Sequence, residues 1–179
     1  MNVILIGYRC TGKSTTGEIF ARVTSLPFVD TDRVIESTMG SNVASIVADL
    51  GWEEFRKIES QVLKQVLTSD SKVIATGGGV VLDKKNLAAM EESAGTVIWL
   101  RASADTILRR MSGDIATPGL RPSLTGNSLE QEVVETLAFR DPLYRGAADL
   151  VVNTDLHDPA ETATIIQKIL DKKGVGYGG

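Results

Sequence analysis

Residues 7–14 carry the strongest chemical signal in the chain. Gly7, four further residues and then Gly12-Lys13-Ser14 match the pattern G-x-x-x-x-G-K-S/T, between an apolar run at 3–6 and a helical pattern at 14–21. Backbone N–H groups of such a loop and the positive end of the following helix attract phosphate oxygens. The pattern predicts a nucleoside triphosphate, with Lys13 bridging its β- and γ-phosphates; the alternative is a glycine turn beside a solvated lysine. The predicted nucleotide-binding residues are Gly7, Tyr8, Arg9, Cys10, Thr11, Gly12, Lys13, Ser14 and Thr15.

Oxygen-bearing side chains near this loop suit a divalent cation and a reacting alcohol. Ser14 can offer its hydroxyl to Mg²⁺, which binds through one or two protein oxygens together with phosphates and water. Asp30 and Asp32 stand two positions apart, and a carboxylate fixed beside an alcohol can accept its proton as a phosphoryl group arrives. The alternative for the aspartates is capping of a helix that begins at Arg33, and capping and catalysis can coexist.

The elements that must position these residues alternate along the chain. Short apolar runs typical of buried strands lie at 3–6, 73–75, 96–100 and 150–152, with a weaker one at 28–29, and helical patterns separate them. We therefore predict an α/β fold, a five-stranded parallel sheet flanked by helices on both faces, with ligands at the carboxyl ends of the strands. The Gly/Pro-rich segment 112–127 predicts a mobile lid, and 174–179 a flexible tail after a single domain of residues 1–173.

Composition narrows the functional class. The chain has 179 residues, a net charge of −4 and one cysteine, so it forms one domain and offers no general basic surface to nucleic acid or membrane lipid. No apolar run approaches the ~20 residues of a membrane span. Because the first strand begins at Val3, we expect no leader sequence and a cytoplasmic location. Nothing in the composition indicates an obligate partner, and we expect a monomer.

Several short motifs follow the phosphate loop in a specific order: Asp30-Thr31-Asp32, Phe55-Arg56-Lys57-Ile58-Glu59, Gly77-Gly78-Gly79, Leu120-Arg121-Pro122 and Arg140-Asp141-Pro142-Leu143-Tyr144. Each motif is weak alone, but the ordered set resembles shikimate kinase, a P-loop family with the nucleoside monophosphate kinase-like fold. The resemblance extends to about Lys172. It implies ATP-dependent, Mg²⁺-dependent phosphorylation of shikimate at its 3-hydroxyl, a step of aromatic amino acid biosynthesis.

The resemblance also implies residue roles. Asp32 is the catalytic base, assisted by Lys13 and by Arg121 in the lid, while Ser14 and Asp30 lie toward the metal. Shikimate carries a carboxylate, which guanidinium groups bind through paired hydrogen bonds, and the residues implied to bind it are Asp32, Arg56, Gly78, Gly79 and Arg140. Arg110 matches a residue near the adenine, Thr76 one near the metal-bound waters, and Glu59 is placed to orient Arg56.

Some positions depart from the family pattern. Arg9 stands where many relatives carry a small residue or proline and some carry arginine, and it either touches the acceptor or reaches solvent. Val47 stands where relatives carry an aromatic wall, Ser123 where they carry leucine, and 153–157 offers no arginine to the adenine. We assign His157 no role. The alternatives to a shikimate kinase are a kinase of another small hydroxy acid, such as gluconate, and a catalytically silent nucleotide-binding homologue.

Overall fold

A computed structural model describes residues 1–69, 71–113 and 128–175. Within these residues five strands form one parallel sheet in the order β2-β3-β1-β4-β5. The strands are β1 Val3–Ile6, β2 Phe28–Asp30, β3 Val73–Ala75, β4 Thr96–Arg101 and β5 Leu150–Asn153. The predicted fold class is confirmed, including the weak strand at 28–29, which forms one edge of the sheet.

Helices cover both faces of the sheet: α1 Lys13–Thr24, α2 Thr31–Met39, α3 Val43–Leu67, α4 Lys84–Glu92, α5 Ala104–Gly113, α6 Leu129–Ala147 and α7 Pro159–Lys172. All four residues of β1 are fully buried. Because strand side chains alternate between faces, Val3 and Leu5 join the core with α1 and α7, while Ile4 and Ile6 join the core with α2, α3 and α6. No helix in the described ranges is both long and apolar enough to cross a membrane.

Helix boundaries follow side-chain caps at several ends. Asp158 and Glu161 form a capping box at the start of α7, and Ser128 accepts the Gln131 N–H at 3.3 Å. Helix α2 begins at Thr31, two residues before the predicted start, because Asp30 is its N-cap. Asp32 therefore lies in the first turn of α2 rather than ahead of it.

Only the first two residues of the segment predicted as a lid are described by the structure. Ser112 and Gly113 are the last residues of α5, and 114–127, which include Arg121 and Ser123, lie outside the described residues. Of the predicted tail, Gly174 and Val175 are described, and Val175 packs against the core shared by α1 and α7.

Candidate active site

The loop after β1 has the backbone geometry of a phosphate cradle. Gly7 and Gly12 have φ angles of +143° and +92°, which favour glycine. A Cβ at Gly7 would lie 2.4 Å from the carbonyl oxygen of Leu100 on the neighbouring strand, so the loop also needs glycine there for space. Gly12 is the N-cap of α1, and the loop therefore delivers its N–H groups to a helix N-terminus, where anions bind.

Lys13 is held against this loop. Its ammonium donates hydrogen bonds to the carbonyl oxygens of Gly7 at 2.9 Å and Tyr8 at 2.8 Å, and the residue is 8% exposed. The cation and the N–H groups thus lie on the same short segment, as binding of a triphosphate requires.

Ser14 and Asp30 connect the loop to the end of β2. The Ser14 hydroxyl donates to Asp30 Oδ2 at 2.5 Å, while Asp30 Oδ1 accepts the N–H groups of Asp32 at 3.0 Å and Arg33 at 3.3 Å. Asp30 is therefore both a helix cap and a neighbour of the phosphate loop. The structure brings together the two oxygen-bearing side chains that the sequence assigned to the metal.

A cavity of about 400 Å³ opens beside this pair at the carboxyl edge of the sheet. It is bounded by the phosphate loop, α2, α3, α6 and the loop after β3. All five residues that the sequence assigned to the acceptor line this cavity: Asp32, Arg56, Gly78, Gly79 and Arg140. The structure therefore brings together in one cavity residues from four separate segments.

Arg56 is fixed on three sides. Its Nη1 donates to Glu59 Oε2 at 2.7 Å, as the sequence predicted, and its guanidinium carbon lies 5.0 Å from the Trp52 ring centroid and 5.4 Å from that of Phe55. Such cation–π contacts restrict the guanidinium plane. Burial raises the pKa of Glu59, and the Arg56 charge opposes that shift.

The triple glycine lets charged side chains approach the end of β3. A Cβ at Gly77 would lie 2.5 Å from Glu59 Oε1 and 2.9 Å from Asp32 Oδ1, and a Cβ at Gly79 would lie 2.2 Å from Arg56 Nη1. The glycines therefore do more than make a turn: their missing side chains leave the space that Glu59 and Arg56 occupy.

Helix α6 binds the loop after β3 through two buried side chains, of which Arg140 lines the cavity. Arg140 Nη1 donates to the Gly78 carbonyl at 3.0 Å, and the Tyr144 hydroxyl donates to the same oxygen at 2.5 Å. Tyr144 also stacks on Trp99, with ring centroids 5.8 Å apart, and burial raises its pKa. The Arg140 Nε is buried and has no hydrogen-bond partner in the described part of the chain.

Three site features were missed or misplaced from sequence. The aromatic wall comes from Trp52 and Phe55, whereas Val47 is buried in the core on that side of the sheet. The signal was Gly51, whose φ of +80° breaks α3 and redirects the residues after it. Arg9, for which the sequence left acceptor contact and solvent as alternatives, lines the cavity and forms an ion pair with Glu132, which sequence reasoning did not select.

A second cavity, about 730 Å³, lies on the other side of the phosphate loop. Arg110, assigned to the adenine, lines it and donates to the carbonyls of Cys10 at 3.2 Å and Thr154 at 2.5 Å. His157, given no role, also lines this cavity. Thr76, assigned to the metal waters, is buried and donates to the Leu5 carbonyl at 3.0 Å.

Comparisons with known proteins show which family this chain belongs to. A family model for shikimate kinase matches residues 9–172. Shikimate kinase 2 of Photorhabdus laumondii is 41% identical over 95% of this chain and 97% of its own length, and the shikimate kinase of Rhodopirellula baltica is 40% identical over 93% and 89%. The solved shikimate kinase from Acinetobacter baumannii in complex with shikimate has a TM-score of 0.90 and 28% identity, covering 98% of this chain and 95% of that one. The chain belongs to the shikimate kinase family.

Proposed function

We propose that this protein transfers the γ-phosphoryl group of ATP to the 3-hydroxyl of shikimate. The observation that carries the proposal is the convergence of guanidinium groups and a carboxylate in one cavity beside a phosphate loop. An acidic cyclic alcohol needs both: cations for its carboxylate, and a base for its hydroxyl. The solved relative described as a complex with shikimate supports the same acceptor.

We assign the acceptor carboxylate to Arg56 and Arg140. Arg56 is oriented by Glu59 and by two aromatic rings, and Arg140 retains a buried Nε without a partner among the described residues. An unpaired buried donor is costly, and an anion that accepts from it removes that cost. Gly78 and Gly79 line the same cavity, and we assign their N–H groups to the same ligand.

The reaction forms a bond between the acceptor oxygen and the γ-phosphorus and breaks the bond to the β–γ bridging oxygen, which leaves with ADP. Asp32 accepts the proton of the attacking hydroxyl. Lys13 and the loop N–H groups neutralise charge on the phosphoryl oxygens, so the protein contributes mainly positioning and electrostatics. Arg121, outside the described residues, is assigned to the same phosphoryl group, and Arg110 to the adenine side, from the family resemblance.

The donor set beside the phosphate loop fits Mg²⁺. Ser14 Oγ and Asp30 Oδ2 are hard oxygen atoms 2.5 Å apart, and no group of three or more His, Cys, Asp or Glu side chains that could hold a metal occurs within the described ranges. Mg²⁺ in kinases takes one or two protein oxygens and draws its other ligands from phosphates and water. The ion would neutralise the β- and γ-phosphate oxygens there.

Acceptor-dependent ADP release tests this function. With ATP and Mg²⁺ supplied, we expect turnover on shikimate and background rates on gluconate or without an acceptor. Turnover on gluconate alone would reassign the enzyme to another hydroxy acid, and no turnover on any acceptor would indicate a silent nucleotide-binding homologue. We also propose a cytoplasmic monomer, and light scattering of the purified chain tests the oligomeric state.

A further inference from the structure

One face of α6 carries four buried polar side chains at intervals of four residues: Glu132, Thr136, Arg140 and Tyr144. Residues four apart lie above one another on a helix. Arg140 and Tyr144 hold the Gly78 carbonyl, and Glu132 holds the side chain of Arg9 in the phosphate loop. This face of α6 thus connects the loop after β1 to the loop after β3, which together border the acceptor cavity.

The Arg9–Glu132 pair is almost entirely removed from water. The exposed fractions of the two side chains are 11% and 2%. Burying two opposite charges costs several kcal/mol of desolvation, so a buried ion pair often adds little stability over apolar side chains of the same volume. Stability alone is therefore a weak reason for this pair, and its location indicates a role in the site.

Arg9 lies where the phosphate loop meets the acceptor cavity. Its side chain lines that cavity, and its backbone nitrogen would lie 3.4 Å from a Cβ at Gly78. The guanidinium carbons of Arg9 and Arg140 lie 5.5 and 6.0 Å from the centroid of the same Tyr8 ring. Glu132 engages Nη2 of Arg9, whereas Nε is buried and has no partner in the described part of the chain. The Nε–H donor of Arg9 is therefore not used by any of the described residues.

We infer that Glu132 is a positioning residue that holds the Arg9 guanidinium so that Arg9 donates to the anionic acceptor. This inference rests on the proposed function and adds Arg9 to Arg56 and Arg140 as an acceptor-binding cation. Glu132 does not touch the acceptor. It neutralises Arg9 and fixes the direction of its remaining N–H groups, which an arginine without a partner would not maintain alone.

The variants Glu132→Gln, Arg9→Met and their combination test the inference, with Glu54→Gln as a matched control in the exposed Lys57–Glu54 pair. Trp52 lines the cavity, whereas Trp99 is buried, so tryptophan fluorescence reports shikimate binding without turnover. For both single variants we expect the Kd and KM for shikimate to rise about tenfold, with KM for ATP within about twofold of wild type. The double variant should match Arg9→Met, because the two residues act as one unit.

Three results would overturn the inference. If Glu132→Gln binds shikimate as tightly as wild type but has a lower Tm, the Arg9–Glu132 pair contributes only to stability. Equal rises in KM for ATP and shikimate would indicate a distorted phosphate loop, and additive losses in the double variant would separate the two residues. The double variant buries no unpaired charge, so it tests shikimate binding even if the single variants do not fold. Wild-type enzyme inactive on shikimate would refute the proposed function instead, before any variant is compared.

Discussion

Gly79→Ala offers a direct test of the acceptor site, because it adds one methyl group at a point where that group meets the guanidinium of Arg56. Gly79 has a φ of −101°, outside the left-handed region, so the backbone there is sterically allowed for alanine. Its Cβ, however, would lie 2.2 to 2.3 Å from three atoms of the Arg56 guanidinium. That group is the far end of a flexible side chain, so we expect Arg56 to withdraw while the backbone stays in place.

The size of the effect follows from these distances. Carbon and nitrogen atoms in contact lie about 3.5 Å apart, so the Arg56 guanidinium must move away from the new methyl group by roughly 1.3 Å. A displacement of that size is enough to break the 2.7 Å hydrogen bond to Glu59. The displaced guanidinium then also loses its proposed hydrogen bond to the acceptor carboxylate. Because a hydrogen bond to a charged group is worth about 1.5–3 kcal/mol, we expect shikimate affinity to fall by about 10- to 150-fold.

The assay measures KM for shikimate at saturating ATP, KM for ATP at saturating shikimate, and shikimate Kd from tryptophan fluorescence. Gly146→Ala is the matched control: a Cβ there meets nothing within 4 Å. Within helix α6 that change should stabilise the fold by up to ~1 kcal/mol and leave both KM values unchanged. In Gly79→Ala, only the shikimate constants should change.

The reasoning is refuted if Gly79→Ala binds shikimate as tightly as wild type. Arg56 would then not hold the acceptor, since its guanidinium cannot keep its position beside the new methyl group. Combining Gly79→Ala with Arg56→Ala provides a second check. If the glycine acts through Arg56, the double variant has the affinity of Arg56→Ala alone, and a further loss would assign the effect of Gly79 to its own N–H.

Three other substitutions test separate parts of the site. Asp32→Asn should lower kcat by about 10²- to 10⁴-fold and leave the nucleotide Kd nearly unchanged. If nucleotide affinity falls in parallel, Asp32 binds the metal and is not the base. Gly7→Ala should abolish ATP binding in a titration, because its φ is +143° and its Cβ would lie 2.4 Å from the Leu100 oxygen; normal affinity would contradict the cradle geometry. Burial raises the pKa of Glu59, so wild-type stability should fall as pH rises from about 4.3 through the folded pKa. Glu59→Gln should flatten that dependence in urea denaturation, and identical slopes would contradict it.

The fold was predictable because its signals are local. Strand β1 is apolar at every position since both of its faces are covered, and such continuous runs are typical of parallel sheets. Even β2, three residues long, was found through its apolar pair before Asp30. The phosphate loop was equally local, with its glycines, lysine and serine in one motif. Element ends were less exact: β4 and β5 each extend one residue beyond the prediction.

The acceptor site was only partly predictable because it is assembled from distant segments. The pairing of Arg9 with Glu132 spans 123 positions, and nothing near Glu132 in sequence distinguishes it from the other acids that favour the first turn of a helix. The aromatic wall depended on the break at Gly51, whose positive φ sets where Trp52 points. Such contacts depend on packing between elements, which periodicity and motif spacing do not encode.

The charge balance of the cavity indicates which cation attracts the acid. Among the described residues, four arginine side chains line it, and three of them pair with carboxylates of the chain. Arg140 instead donates to a neutral carbonyl oxygen and keeps a buried Nε unpaired among the described residues. Its charge is therefore the least compensated of the four. An entering carboxylate therefore gains the most electrostatic interaction energy beside Arg140. Arg56, whose charge Glu59 already neutralises, mainly orients the carboxylate. The three pairs are Arg9–Glu132, Arg33–Glu18 and Arg56–Glu59.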